Sequence, residues 1–148
     1  MKYIYCDHSA STPLDPQVLD LMNDIEKNTF GNPSSIHRFG QSAKALIENS
    51  RRQVASSMLC SSSEIYFTSG GSESNNMVIK NILNPGDHII STSIEHPAIL
   101  EPIRTLESNG IESTLIKPES NGIIKVEKIE KAIRNNTKLV SIMFVNNE

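Results

Sequence analysis

His88-Ile89-Ile90-Ser91-Thr92, then the helically spaced Ile99, Leu100, Ile103 and Leu106, then Ser113-Thr114-Leu115-Ile116 follow one another with little between them. The first and last are short runs rich in β-branched residues, the composition of strands. The apolar positions between them recur at the three- and four-residue spacing of one helix face. A strand, a helix and a second strand in that order form a crossover unit, and such units build parallel sheets. Working outward, the pattern repeats. Upstream lie Glu64-Ile65-Tyr66-Phe67-Thr68, read as a strand, and Met77, Ile79 and Leu83, read as a helix. Downstream lie Val126, Ile129 and Ile133, a helix supported by the Glu127 and Lys131 pair four residues apart, and a last strand over 139–145. The expectation is an α/β fold, a three-layer α/β/α arrangement around a mostly parallel sheet. Pro102 falls inside the helix read over 98–108 and removes a backbone hydrogen bond there, so that helix either kinks or starts later.

The first sixty residues differ in character. Asp15 as N-cap with Pro16 at the first helical position opens a helix whose apolar side is Val18, Leu19, Met22 and Ile25. A Gly-Asn-Pro-Ser-Ser loop at 31–35 leads to a second helix carrying Ala43, Leu46, Ile47, Val54 and Met58. At 148 residues, 37% hydrophobic and 21% charged, with a net charge of −3, the chain suits one globular domain. It carries no basic patch of the kind nucleic acid needs, and no apolar run approaches a membrane span. Neither partner is expected. Without the apolar core of a signal peptide at the start, the expected compartment is the cytoplasm. Cys6 and Cys60 form no metal-ligand spacing and are too few for a disulfide framework, so both are read as reduced and buried.

In open α/β sheets ligands bind beyond the carboxyl ends of the strands. After the 64–68 run comes Ser69-Gly70-Gly71-Ser72-Glu73-Ser74-Asn75-Asn76, a glycine turn opening a helix. Glycines let backbone N–H groups approach an anion, and a helix N-terminus adds partial positive charge, which together make a phosphate cradle. Neither a dinucleotide fingerprint nor a P-loop lysine is present. A plain turn with Ser72 as an ordinary N-cap is the competing reading of the loop taken alone. After 88–92 comes Ser93-Ile94-Glu95-His96-Pro97, which sets an imidazole before a helix, able to move protons near neutral pH or to stack on a planar ring. After 139–145 come Asn146 and Asn147, amide donors or simply turn residues. A cradle, a histidine and an amide on one sheet edge suit a phosphorylated, planar, hydrogen-bonding ligand.

At this point five ordered blocks resemble one family. They are Tyr5-Cys6-Asp7-His8-Ser9-Ala10-Ser11-Thr12-Pro13-Leu14-Asp15-Pro16, Phe30-Gly31-Asn32-Pro33-Ser34-Ser35-Ile36-His37, Phe67-Thr68-Ser69-Gly70-Gly71-Ser72-Glu73-Ser74-Asn75-Asn76, Glu95-His96-Pro97 and Ser141-Ile142-Met143-Phe144-Val145-Asn146-Asn147-Glu148. They are similar to the motifs of the cysteine desulfurases, in the class V branch of fold-type I pyridoxal-phosphate (PLP) enzymes. The resemblance implies that Gly71 and Ser72 hold the PLP phosphate, that His96 lies against the pyridine ring and takes part in proton transfer, and that Asn147 hydrogen-bonds the cofactor's phenolic oxygen. It also implies an activity: sulfur removed from L-cysteine to leave alanine and an enzyme-bound persulfide, passed to an iron–sulfur scaffold or another sulfur acceptor. The family's members are generally homodimers.

In the family the lysine that carries the cofactor and the persulfide-forming cysteine lie beyond position 148. Lys44, Lys80, Lys128 and Lys131 fall on expected helices, where surface lysines are the rule. The expectation is therefore an N-terminal part, with residues 1–15 as a leading segment and 16–148 as the first portion of the PLP-binding large domain, inactive alone. A selenocysteine lyase or another class V aminotransferase is the alternative within the enzyme class, and a catalytically dead interaction module the alternative outside it.

Overall fold

The computed structural model describes residues 3–146 and divides into two compact units, one ending at Phe67 and the other beginning at Thr68. In the first, helix α1 (Pro16–Asn28) starts where the sequence places it, with the Asp15 carboxylate accepting from Gln17 N at 2.8 Å and Pro16 just inside. No residue of α1 is buried. Helix α2 (Arg38–Ser57) is capped by His37 and buries Gly40, Ala43 and Ala55. The 31–35 loop lies tightly on the start of α2. A Cβ at Gly40 would sit 2.4 Å from Ser35 O and 2.6 Å from Asn32 O, and one at Gly31 would sit 2.4 Å from Phe39 backbone atoms. Only glycine allows these two backbones to approach so closely.

A single 3-10 turn, Ser62–Glu64, follows, closed by a capping box between Ser61 and Glu64. The strand expected over 64–68 is absent. Among the described residues no strand pairs with this run, and the Ile65 carbonyl instead accepts from Arg51 Nη1 at 2.6 Å, with the Arg51 guanidinium 4.9 Å from the centre of the Phe67 ring. Strand propensity without a pairing partner does not make a strand.

The second unit holds the crossover units. Its order is α3 (Gly71–Ile82), β1 (His88–Thr92), α4 (Pro97–Glu107), β2 (Glu112–Ile116), α5 (Val126–Ala132) and β3 (Thr137–Val140). The sheet runs β2-β1-β3, both pairings parallel. β1 is central and buried along its whole length, as a strand covered on both faces must be. Ile79 from α3 and Leu83 just past its end, Ile89 from β1, Ile99 and Ile103 from α4, and Ile111 form the core. α4 starts earlier than expected, at Pro97, and Pro102 remains inside it with its ring buried. β3 is shorter than the expected 139–145: beyond Val140 the pairing continues only through Ser141 N to Ile90 O at 2.9 Å and Ser91 Oγ to Ser141 O at 2.8 Å.

His88 ties the three strands together at their amino ends. Its Nδ1 lies 2.8 Å from Thr137 Oγ1 on β3 and its Nε2 2.8 Å from Thr114 Oγ1 on β2, with the ring fully buried. Both cysteines are free, but Cys6 is exposed and Cys60 half-buried, correcting the expectation that both are buried. Residues 3–5 before Cys6 and 7–14 after it are all exposed, so its sequence neighbours supply no cover for a thiol. No helix among the described residues is long and apolar enough to cross a membrane.

Candidate functional site

Two helix N-termini point to the carboxyl edge of the sheet. α4 leaves that edge directly after β1, because only residues 93–96 separate them. α3 precedes β1 and joins its amino end through residues 83–87, so its own start lies one helix length away in the opposite direction. That length is about 18 Å, against about 16 Å for β1, which brings Gly71 to the level of Thr92.

Gly70 is the N-cap of α3 and makes no side-chain cap hydrogen bond. Ser72 is therefore not the cap; it sits in the first helical turn, exposed, and among the described residues its hydroxyl makes no hydrogen bond. The N–H groups of this first turn have no intrahelical acceptor. A Cβ at Gly70 or Gly71 would meet nothing within 4 Å, so the helix start faces open space from which an anion can reach it. The turn is braced from behind. Glu73 Oε2 accepts from Ser69 N at 2.6 Å and Ser69 Oγ at 2.7 Å, and Thr68 Oγ1 and Ser74 Oγ lie 2.8 Å apart. The two Ser69 donors hold the Glu73 carboxyl below its usual pKa, so it stays ionised and tied to the residue before the helix cap. The geometry fits a phosphate held by backbone N–H groups and the Ser72 hydroxyl.

His96 is the N-cap of α4. Its Nδ1 accepts from Ala98 N at 3.0 Å, which fixes the neutral ring as the tautomer protonated on Nε2 and leaves that nitrogen on the exposed side chain to face a ligand. Pro97 at the first helical position gives up no needed N–H. Immediately before it, Glu95 is buried, with Oε1 accepting from Thr92 Oγ1 at 3.0 Å and from Met143 N at 2.8 Å. Asn146 Nδ2 donates to Ile94 O at 3.0 Å. The 92–96 loop and the 141–146 segment are thus bonded to each other at the strand ends. Asn147, the expected amide donor to the cofactor, lies outside the described residues. A groove of about 480 Å³ on this unit is lined in part by Thr92, Ile94, Met143 and Asn146, and Gly71, Ser72 and His96 are not among its lining residues. Among the described residues no cluster of His, Cys, Asp or Glu could hold a metal.

The sequence reading missed Glu95, Thr92 and the bracing by Glu73. A glutamate three residues after a threonine at a strand end is an ordinary loop pattern, and only its burial marks it. Glu73 stands where an acid commonly favours a helix start, which hides its bonds to Ser69.

The second unit thus combines a parallel α/β core, a glycine-opened helix start without a side-chain cap, and an exposed imidazole that caps the helix after β1. The family described as aminotransferase class-V matches residues 4–148, and the chain belongs to it. A cysteine desulfurase IscS of Dictyoglomus turgidum is 44% identical over 149 residues, covering 98% of this chain and 38% of that protein. Among solved structures, a NifS-like protein superposes with a TM-score of 0.91 at 37% identity over 96% of this chain and 40% of its own. A structure described as SspA in complex with cysteine gives 0.90 at 39% identity over 97% and 43%. The chain thus spans well under half the length of the relatives it matches.

Proposed function

We propose that this chain is the cofactor-positioning N-terminal part of a PLP-dependent cysteine desulfurase. The observation that carries the reading is the uncapped start of α3, with open space at Gly70 and Gly71, on the sheet edge that also bears His96. Gly71 N–H and the Ser72 N–H and hydroxyl bind the phosphate. His96, whose Nδ1 accepts from Ala98 N, presents a flat ring to stack on the pyridine and its Nε2 to exchange a proton with the reacting amino acid. Asn147 donates to the phenolic oxygen. PLP, when bound, supplies the electron sink that loosens bonds at the amino acid's α carbon.

L-Cysteine is the substrate this reading assigns, supported by the desulfurase relatives and by the relative solved with cysteine. The sulfur then passes to an iron–sulfur scaffold or a similar acceptor, in a homodimeric, cytoplasmic enzyme of full desulfurase length. Residues 1–15 lead into a large domain whose first portion is 16–148.

Amide spectra of the chain titrated with PLP and, separately, with pyridoxal test the cradle. PLP is expected to shift Gly71 and Ser72, pyridoxal at equal concentration to leave them unmoved, and Ser72→Ala to weaken the PLP response about tenfold, the worth of one hydrogen bond to a charged group. Equal shifts with both ligands, or none with PLP, would sink the reading. With PLP and L-cysteine, the 148-residue chain is expected to release neither sulfide nor alanine.

A further inference from the structure

We propose that Glu95 is a positioning residue: its buried carboxylate locks the loop that carries His96 to the 141–146 segment, so that the imidazole meets the cofactor in a fixed orientation. The inference rests on the PLP reading above for what is positioned, and on the geometry alone for how.

β3 ends at Val140, while the residues of interest lie further on. Past that point backbone pairing with β1 gives out after Ser141 N to Ile90 O. Side chains take over. Glu95 Oε1 receives Met143 N at 2.8 Å from the far segment and Thr92 Oγ1 at 3.0 Å from its own loop, and Asn146 Nδ2 reaches Ile94 O at 3.0 Å. Glu95 is 6% exposed, and among the described residues no lysine or arginine pairs with it. Burying a carboxylate without a cation is expensive, and an apolar side chain would fill the same space at lower cost. What the carboxylate provides that an apolar residue does not is one acceptor shared by two elements, adjacent in sequence to the imidazole. The bond from Met143 fixes the far segment's height against the loop. The bond from Thr92 fixes the loop's turn, and with it the direction in which His96 leaves to cap α4.

The test compares Glu95→Leu and Glu95→Gln with the parent chain by nitrogen-15 spectra of the His96 ring, hydrogen exchange at Met143 N, and PLP titration. Glutamine keeps the acceptor and leucine removes it. Glu95→Leu is expected to speed Met143 exchange about tenfold, to turn the single Nε2-protonated state of His96 into a tautomer mixture, and to leave Ile89 to Ser91 exchange unchanged. Glu95→Gln is expected to match the parent in all three. A parent-like His96 ring in Glu95→Leu overturns the proposal, as does Glu95→Gln behaving like Glu95→Leu. Should Glu95→Leu lose β1 protection as a whole, Thr92→Val takes its place, removing one donor while keeping the side-chain shape. A smaller change in the same direction at His96 is then expected, and none overturns the idea. If PLP perturbs no residue of the parent chain, the cofactor reading fails while the His96 and Met143 measurements still decide the role of Glu95.

Discussion

His88 and Glu73 are titratable groups held away from their usual pKa for opposite reasons. Burial pushes the His88 imidazole down, the Arg134 cation adds to the effect, and Glu112 opposes it. The buried ring is neutral, with one nitrogen donating to a threonine hydroxyl and the other accepting from one. The unfolded chain takes up its proton near pH 6.5, before the folded one does. Stability from this group is therefore complete above about pH 6.5 and is lost as pH falls, by up to about 1.4 kcal/mol per pH unit. Denaturant unfolding from pH 7.5 to 5.5 should show a steeper loss for the parent than for His88→Leu, and parallel curves would contradict the assignment. Glu73 is fully exposed and its lowered pKa comes from the two Ser69 donors, so those bonds persist above the ordinary carboxylate range and fade as pH falls through the lowered value. Its charge is unhelpful to a bound phosphate, yet water screens it, whereas its acceptor orders a turn with two glycines. Order outweighs charge: Glu73→Ala should weaken PLP binding roughly three- to tenfold by loosening the turn, and Glu73→Gln, which keeps an acceptor, should not. Binding titrations of the two variants decide which effect dominates.

The elements that were legible are those whose signals are local. Asp15-Pro16 marks the start of α1 and the structure begins it there, with the cap bond formed; Asp15→Ala should cost about 1 kcal/mol of helix stability, read as lost helicity in circular dichroism. The β1, α4 and β2 pattern was equally readable, because a βαβ unit carries its own partner strand. Runs 64–68 and 141–145 failed for the same physical reason. A strand is a pairing, and periodicity reports the strip but not its neighbour. Ile65 gives its carbonyl to Arg51, and the chain past Ser141 is tied by Glu95 instead of by a ladder. The 31–35 loop was legible as a loop, but its contact with Gly40 was not, since nothing in the sequence says which glycine is approached by backbone. The carbonyls of Asn32 and Ser35 leave a Cβ at Gly40 no room, and neither is the flexible end of a side chain. Gly40→Ala should therefore destabilise the first unit by about 1–3 kcal/mol, while Gly70→Ala, in open space, should leave stability within about 1 kcal/mol. Melting curves of the two variants measure the contrast.

Taken over its length, the chain leaves much of its apolar surface in water. α1 buries nothing, and its apolar side, Val18, Leu19 and Met22, is 45–48% exposed. Phe30, Ile36, Leu59, Tyr66 and Phe144 are more exposed still. An amphipathic helix owes most of its stability to packing of that face, and a soluble monomer seldom exposes contiguous apolar patches beyond a few hundred Å². β2 and β3 also each have one side unpaired in the described sheet, which invites strand addition. Relatives that are 44% identical contain more than twice this length of chain, and this sequence covers 38% of one of them. Surface that is apolar here is surface a longer chain or a second subunit can cover. The 148-residue chain alone should accordingly bind a hydrophobic dye and sediment with a concentration-dependent mass. Replacing Leu19 and Met22 together by lysine should reduce both without altering Met143 exchange, because α1 and the site segment belong to different compact units. A chain that sediments as a monomer at all concentrations and binds no dye would show that these side chains find cover within the 148 residues.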